Sequence, residues 1–276
     1  MARRFETSLR STTLVIVLVN LCPLAGFVGL EWTFYEAMFV YWIDIGLIIA
    51  FYNVLLVFGQ QPSRVADKAG RMHAGMIPFP KREGSLSIFD HFPPIRYRNL
   101  RLLPLNLVLT LGFWSLTSRL FLEYTNPAVS LPAQPEVRAV FSAVRMAYSP
   151  GGLSVAIVLF VVHAAVISRE FFGGCQYERF SAAMLAEFSG RASAFWFVAL
   201  IVGTFLTTIP RLTGNVLFTQ ATVFVVGVGG KAAVDVALLR IGRGQTDGCF
   251  TKWFVPYEPA PPDETEPTDA EPTDAT

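Results

Sequence analysis

The sequence predicts an all-α protein, a polytopic transmembrane helix bundle with six spans and short interfacial helices. Of its 276 residues, 53% are hydrophobic and only 16% are charged, whereas soluble domains usually carry about 25% charged residues. The charges are concentrated between long apolar stretches, and roughly 20 apolar residues cross a bilayer as a helix. Six such stretches are present, at 12–30, 34–58, 102–122, 152–169, 192–209 and 215–239.

Two of these spans contain polar interruptions. Asn20 and Pro23 divide the first span, and a proline inside a helix removes a backbone hydrogen bond and kinks it. The third span is the weakest, because Pro104, Asn106 and Arg119 dilute its apolar character. We expect a kink in the first span and an imprecise boundary for the third.

The basic residues predict how the spans are oriented in the membrane. Lysine and arginine accumulate in cytoplasmic segments. With the N-terminus inside, 17 bases fall on the cytoplasmic side and four on the outer side. This asymmetry predicts a multi-pass protein of the cell membrane with both termini in the cytoplasm. The expected segments are cytoplasmic at 1–11, 59–101, 170–191 and 240–276, transmembrane at 12–58, 102–122, 152–169 and 192–239, and external at 123–151.

The C-terminal segment has a different composition from the rest. Residues 258–276 contain seven acids and no base, and the sequence EPTDA occurs there twice. Such a segment cannot bury a core, so we expect a disordered acidic tail. Acidic surface helps solubility at high salt, and only four of the 22 basic residues are lysines. The composition therefore fits a halophilic archaeon, although a plain solubilising tail explains the acids equally well.

Two amphipathic segments lie between the spans. Apolar residues recur at helical spacing in 135–148 and again in 176–188. This pattern predicts short helices that lie along the membrane surface. Packing against the bundle is an equally good interpretation of the same pattern.

Asp44 and His163 are ionisable residues near the middle of the second and fourth spans. Such groups are costly in a membrane, so they face the bundle interior and usually have a partner. Asp44 is a candidate proton or cation site, or a buried acid that is hydrogen-bonded to its neighbours. His163 lies at a similar depth and is either a neutral imidazole bonded to a nearby oxygen or a partner of Asp44.

Lys231 and Asp235 are four residues apart in the sixth span, so they share a helix face and can form an ion pair. The pair is either structural or a binding site for a substrate or a lipid headgroup. Gly229, Ala233 and Ala237 form a row of small residues on another face, and such rows let helices approach closely. We expect the sixth span to pack through this row and to carry its ion pair on a different face.

A second group of charges is expected at the outer surface. Arg119 and Glu123 are four residues apart near the outer end of the third span. Glu31 and Glu36 flank the short outer turn between the first two spans. We expect these four residues to form a cluster of surface ion pairs.

Several functions lack support in the sequence. The net charge of +1 does not predict a nucleic acid partner. The three cysteines and three histidines are scattered along the chain, so we predict neither a disulfide framework nor a zinc site. Gly229-Gly230-Lys231-Ala232 lacks the first glycine and the Ser or Thr of a phosphate-binding loop. Metalloprotease and serine hydrolase motifs are also missing from the sequence, so we predict no cofactor and no metal.

Three parts of the sequence together resemble a known family. They are Asn20 with the following Pro23-Leu24-Ala25-Gly26, the Tyr41-Trp42-x-Asp44 core of the second span, and Lys231-x-x-x-Asp235. The chain resembles an uncharacterised family of multi-span membrane proteins that is common in haloarchaea. The resemblance also covers His163, and the family pattern favours Glu at the position of Asp44. It implies a membrane fold and these polar residues, without a substrate, cofactor or reaction.

The sequence leaves three functional hypotheses. In the first, the protein is a small transporter or ion-coupled permease in which Asp44 carries a proton or cation, His163 assists, and Lys231 and Asp235 act as a gate or an anion-binding pair. In the second, it is a structural or interaction protein without catalytic activity. The third, an intramembrane enzyme acting on lipids, requires a nucleophile or metal site that the sequence does not offer. Membrane lipids, and in the first hypothesis a small ion or solute, are the expected partners.

Overall fold

The computed structural model describes residues 2–62, 84–88, 92–125, 145, 150–212 and 214–256. Within these ranges the protein is a bundle of α-helices with one very small antiparallel sheet, which confirms the predicted all-α class. The sheet pairs β1 (Ser85–Leu86) with β2 (Ile95–Arg96). The helices are α1 (Ala2–Asn20), α2 (Cys22–Gly29), α3 (Phe34–Leu55), α4 (Tyr97–Leu100), α5 (Leu103–Thr125), α6 (Pro150–Ser168), α7 (Ala182–Leu212), α8 (Val216–Phe224), α9 (Gly230–Gly242) and α10 (Cys249–Phe254).

Five helical segments among the described residues are long and apolar enough to cross a membrane. Their bounds lie within a few residues of the corresponding predicted spans, except that the segment at the fifth predicted span begins ten residues earlier than predicted, at Ala182. The third predicted span corresponds to α5, whose 23 residues reach about 35 Å at 1.5 Å per residue, although its clearly apolar part is limited to Leu103–Leu116. The five segments are Ser11–Gly29, Phe34–Phe58, Pro150–Gly173, Ala182–Leu206 and Leu217–Gly242.

Helix α3 lies at the centre of the bundle. It contacts α5, α6 and α7, and 72% of its most apolar stretch is buried, against 22–39% in the other four spans. The helix begins at a capping box in which the Thr33 hydroxyl accepts from the Glu36 backbone, while the Glu36 carboxylate accepts from the Thr33 backbone. This arrangement satisfies backbone groups that the first helical turn leaves unpaired. A polar residue in the middle of α3 therefore lies inside the bundle.

The first span is interrupted where the sequence predicts it. Helix α1 ends at Asn20, and α2 begins at Cys22 with Pro23 in its first turn. The break leaves the backbone carbonyl of Asn20 free to accept a hydrogen bond from the Tyr41 hydroxyl of α3. The kink therefore attaches the first span to the central helix.

The last span packs through a different face from the one predicted. Gly229 and Ala233 are exposed, and within the small-residue row only Ala237 is buried. Lys231 instead lies on the packed face with 1% of its surface exposed. The prediction was wrong because an ion pair inside a membrane must face its partners, and this requirement decides the orientation of the helix more strongly than side-chain size.

Two wide, π-helical turns adjoin the spans. One covers Arg169–Gly173 after α6, and the other covers Val225–Gly229 between α8 and α9. Such turns are rare and occur frequently at functional sites. Here one turn carries Glu170, and the other immediately precedes the turn that carries Lys231.

The structure does not contain a separate interfacial helix at 176–188. Gln176–Glu178 form a short 3₁₀ turn, and α7, which begins at Ala182, runs without a break through the rest of this segment and the predicted fifth span. Phe180 and Phe188 are buried in the main core, so the apolar face packs against the bundle, as the alternative interpretation allowed. The other predicted interfacial helix, at 135–148, lies outside the described residues apart from the helical backbone at Arg145.

The first part of the predicted cytoplasmic segment 240–276 is folded. Residues 240–242 complete α9, and residues 249–254 form α10, which packs on α7 and α9. Phe254 is fully buried, and its ring lies 6.0 Å from that of Phe195. The acidic part of the tail, 257–276, lies outside the described residues.

We expect Phe254→Ala to detach α10 from the bundle. Truncating a fully buried Phe costs about 3–5 kcal/mol, which is more than a six-residue helix can supply from its other contacts. Limited proteolysis with mass spectrometry should show faster cleavage after residue 242 than in the wild type. Lys252→Ala, on the exposed side of α10, should leave the cleavage rate unchanged, and equal rates for the two variants would contradict the prediction.

Candidate functional site

The four ionisable residues predicted inside the spans meet at one point of the bundle. The Lys231 ammonium lies 2.9 Å from Oδ2 of Asp44 and 2.5 Å from Oδ2 of Asp235. The His163 ring lies 3.1 Å from Oδ1 of Asp44 through Nδ1 and 3.4 Å from Oδ2 of Asp235 through Nε2. We call these four residues the charge cluster.

The charge cluster is buried at mid-depth. The exposed fractions of the side chains are 0% for Asp44, 1% for Lys231, 3% for His163 and 8% for Asp235. Asp44 is ten residues from the start of the Phe34–Phe58 span, or about 15 Å along the helix, in a hydrocarbon core about 30 Å thick. The cluster therefore lies near the middle of a membrane that these helices would cross.

His163 has a carboxylate oxygen near each of its ring nitrogens. A neutral imidazole carries one N–H, so it can donate to only one of Asp44 and Asp235 and presents a lone pair to the other. A protonated imidazolium has two N–H groups and can donate to both. The geometry of the site therefore changes from partly repulsive to fully attractive when one proton binds.

The charges of the cluster lead to the same conclusion. With His163 neutral, two carboxylates and one ammonium leave a net charge of −1 in a buried site. Uncompensated charge in a low-dielectric interior is strongly unfavourable. One additional positive charge would make the cluster neutral.

Asn20 is a fifth member of the site. Its amide nitrogen donates to Oδ2 of Asp235 at 2.9 Å and to the Ile16 carbonyl at 3.0 Å. Its side-chain oxygen is buried and has no hydrogen-bond partner among the described residues. The sequence indicated Asn20 as an interruption of the first span and as part of the family resemblance, but not as a site residue, because a single amide does not reveal which carboxylate it contacts.

A small cavity adjoins the charge cluster. Its volume is about 40 Å³, and its lining includes His163, Asp235 and Tyr52 at one end and Glu170 and Gly242 at the other. A water molecule requires roughly 10–15 Å³ of such volume. The cavity can therefore accommodate about two or three waters between the cluster and the end of the spans.

A second, partly buried ion pair lies at the far end of this cavity. The Arg243 guanidinium contacts both carboxylate oxygens of Glu170, with Nε at 2.8 Å from Oε2, and a nitrogen of the same group lies 3.4 Å from the Thr12 hydroxyl. Nη1 of Arg243 is buried and has no hydrogen-bond partner among the described residues. This pair could not be predicted from the sequence, because charged residues at the ends of spans are normally solvated and their positions do not indicate a partner.

A separate polar network connects α3, α5 and α7. The Asn106 amide donates to Oδ1 of Asn53 at 2.6 Å and to the Ser189 hydroxyl at 2.8 Å. Asn53 in turn donates to the Thr110 hydroxyl at 3.0 Å. Asn106, one of the residues that dilute the third predicted span, therefore attaches α5 to the central helix α3.

The structure describes the side chains of only two of the four residues in the expected outer cluster. Glu36 belongs to the capping box of α3, and Glu31 is exposed in the turn before it, with a positive φ of 57°. The side chains of Arg119 and Glu123 lie outside the described part of the chain. The proposed ion pairs among these four residues remain a prediction.

The described residues do not converge on a metal site. No group of three or more histidine, cysteine or acidic side chains among them could hold a metal ion. In the charge cluster the position between the two carboxylates is occupied by the Lys231 ammonium. The site thus carries its own internal cation.

Comparison with known proteins assigns the chain to a family. Residues 2–248 match the model of a family described as a family of unknown function, DUF6498. No curated protein and no solved structure matches the chain significantly. The match extends over most of the chain and includes every residue of the charge cluster. The protein is therefore a membrane protein that belongs to the DUF6498 family of unknown function.

Proposed function

We propose that the protein is a small ion-coupled permease in which the charge cluster binds and releases a proton. The observation that carries the proposal is the position of the His163 ring between the carboxylates of Asp44 and Asp235. One proton converts this arrangement from partly repulsive to fully attractive. Intramembrane ionisable residues of this kind commonly mark proton or ion pathways.

The chemistry of the cluster favours a proton or cation over an anion. The Lys231 ammonium is already shared by two carboxylates, so it offers little positive potential to an incoming anion. We therefore assign Lys231 and Asp235 to the cation site rather than to an anion-binding pair. Asn20 supports this assignment, since its buried side-chain oxygen is an additional acceptor beside the cluster.

The proposal includes the cellular setting of the protein. We infer that six spans cross the cell membrane with both termini in the cytoplasm, because 17 bases then lie inside and four outside. Membrane lipids surround the bundle, as the many exposed apolar side chains of the spans require. The scarcity of lysine and the acidic C-terminal sequence favour a halophilic archaeal host.

We expect Asp44→Asn to abolish proton flux. The substitution keeps the size of the side chain but removes a carboxylate that stabilises the protonated His163 and the Lys231 ammonium. In proteoliposomes at high salt with an entrapped pH-sensitive dye, the initial flux after a pH jump should fall by about tenfold or more, the change that corresponds to about 1.4 kcal/mol.

The matched control is Asp247→Asn, which makes the same chemical change at an exposed position. It should transport protons at the wild-type rate. Flux in Asp44→Asn equal to that of the control would contradict the assignment of the proton site. A wild-type protein that folds but moves no protons in this assay would contradict proton conduction itself.

The alternative is a structural membrane protein without transport activity. It is favoured by one observation. Both carboxylates of the charge cluster contact the Lys231 ammonium, and the His163 ring lies within 3.4 Å of each carboxylate. A structural role predicts that the cluster holds the helices together and never changes protonation. The ¹⁵N shifts of the His163 ring, followed by NMR between pH 5 and pH 9, would then remain constant, whereas the proton site requires them to change.

A further inference from the structure

We propose that Glu170 is the carboxylate through which protons reach the charge cluster from the cytoplasmic end, by way of water in the adjoining cavity. This inference rests on the proposed function and adds the route and its outermost proton-exchanging group. It depends on three observations: the position of the cavity, the arrangement of Glu170 and Arg243 at its end, and the wide helical turn that carries Glu170.

The cavity runs parallel to two spans. His163 and Glu170 are seven residues apart on the same span, and Asp235 and Gly242 are seven residues apart on another. Seven residues are about two helical turns, or about 10 Å, and return to the same helix face. All four residues line the cavity. One end of the cavity therefore lies near the middle of the two spans, and the other end lies where both spans end.

The cavity offers polar partners to water along its length. Nε2 of His163 is buried without a well-formed hydrogen bond, and its ring lines one end. Gln176 and Glu170 line the other end. Buried waters typically require two to four polar partners, and these groups, with Asp235 and Tyr52, can provide them.

Glu170 is held at the mouth of this route. Glu170 lies in the wide turn Arg169–Gly173, and both of its carboxylate oxygens accept from Arg243. The carboxylate is 16% exposed, so it lies between bulk water and the cavity. Arg243 is a positioning residue, because its guanidinium holds the Glu170 carboxylate in place.

The transfer involves one proton and no change of oxidation state. A Glu170 oxygen binds a proton from bulk water. A chain of cavity waters then relays it, since the water beside Glu170 accepts that proton while the water beside His163 passes one of its own O–H protons to Nε2. Glu170 is then ionised again and re-forms both contacts with Arg243. The cluster changes from a net charge of −1 to neutral, which is the change that its geometry favours.

The first test examines water in the cavity and is independent of transport. Phe188 lines the cavity and Phe39 does not, yet both are 3% exposed. In X-ray hydroxyl-radical footprinting, radicals form from water at the site, so Phe188 should be oxidised about tenfold faster than Phe39. Equal, slow oxidation of the two rings would overturn the route, whatever the flux assay shows.

The second test examines the role of Glu170 by flux in proteoliposomes. Glu170→Gln cannot carry a proton and should reduce flux about tenfold or more, while Glu170→Asp keeps a carboxyl group and should retain most of it. Both variants weaken the two-point contact with Arg243, so equal losses would show that only the ion pair matters and would overturn the relay. A wild type without flux would overturn the proposed function as well, whereas flux that survives in Glu170→Gln would overturn the relay alone.

Discussion

Lys231→Met should destabilise the folded protein by about 3–5 kcal/mol, because removing one member of a buried ion pair leaves uncompensated charge in the interior. The expected loss of stability is large, since the Lys231 ammonium is the shared partner of Asp44 and Asp235. Met has nearly the same length as Lys, so the change removes the charge while keeping most of the packing. Thermal unfolding in detergent, followed by circular dichroism, measures the effect.

Two further variants make this prediction specific to charge. Lys252→Met makes the same substitution at an exposed position and should change the stability by no more than about 0.5 kcal/mol. Lys231→Met combined with Asp235→Asn removes one of the two stranded carboxylates and should recover part of the loss. If the double variant is less stable than Lys231→Met alone, packing rather than charge governs the cluster.

Gly46→Ala should separate α3 from α5. A Cβ atom at Gly46 would lie 2.3 Å from Cε2 of Trp114, far inside van der Waals contact. The indole cannot move away easily, because it stacks on Trp42 with ring centroids 4.2 Å apart and donates from Nε1 to the Trp42 carbonyl at 2.9 Å. Overpacking of this kind costs about 1–3 kcal/mol, which the same unfolding measurement detects.

Gly112→Ala on α5 is the matched control for this prediction. An added Cβ at Gly112 meets no atom within 4 Å, and alanine has a higher helix propensity than glycine by about 1 kcal/mol. This variant should therefore be as stable as the wild type or slightly more stable. A Gly46→Ala protein as stable as Gly112→Ala would show that the two tryptophans can shift without cost.

The positions of the spans and the members of the charge cluster could be predicted from the sequence for the same physical reason. Burying an ionisable group in a membrane is so costly that Asp44, His163, Lys231 and Asp235 must face the interior and find partners. Similar depth made the contact between Asp44 and His163 one of the predicted alternatives. The sequence could not show which helices touch, so the joining of both ion pairs into one site required the structure.

Residues outside the apolar stretches were harder to predict. Glu170 and Arg243 lie at the ends of spans, where most charges are solvated, and their pairing depends on the wide turn at Arg169–Gly173. The same limit applies to the 176–188 segment, because a surface helix and the first turns of a buried helix show the same apolar periodicity. The burial of Phe180 and Phe188 in the core shows that this segment packs against the bundle, and its second half continues into α7.

The mid-depth position of the charge cluster has an electrical consequence. Moving one elementary charge across the whole membrane changes the free energy by about 2.3 kcal/mol per 100 mV, so a proton that travels only to His163 experiences roughly half of this, or about 1.2 kcal/mol. At that voltage the occupancy of the site shifts about eightfold. In the proposed permease, the position of the described His–Asp contacts halfway across the bilayer would thus make proton binding sensitive to membrane potential.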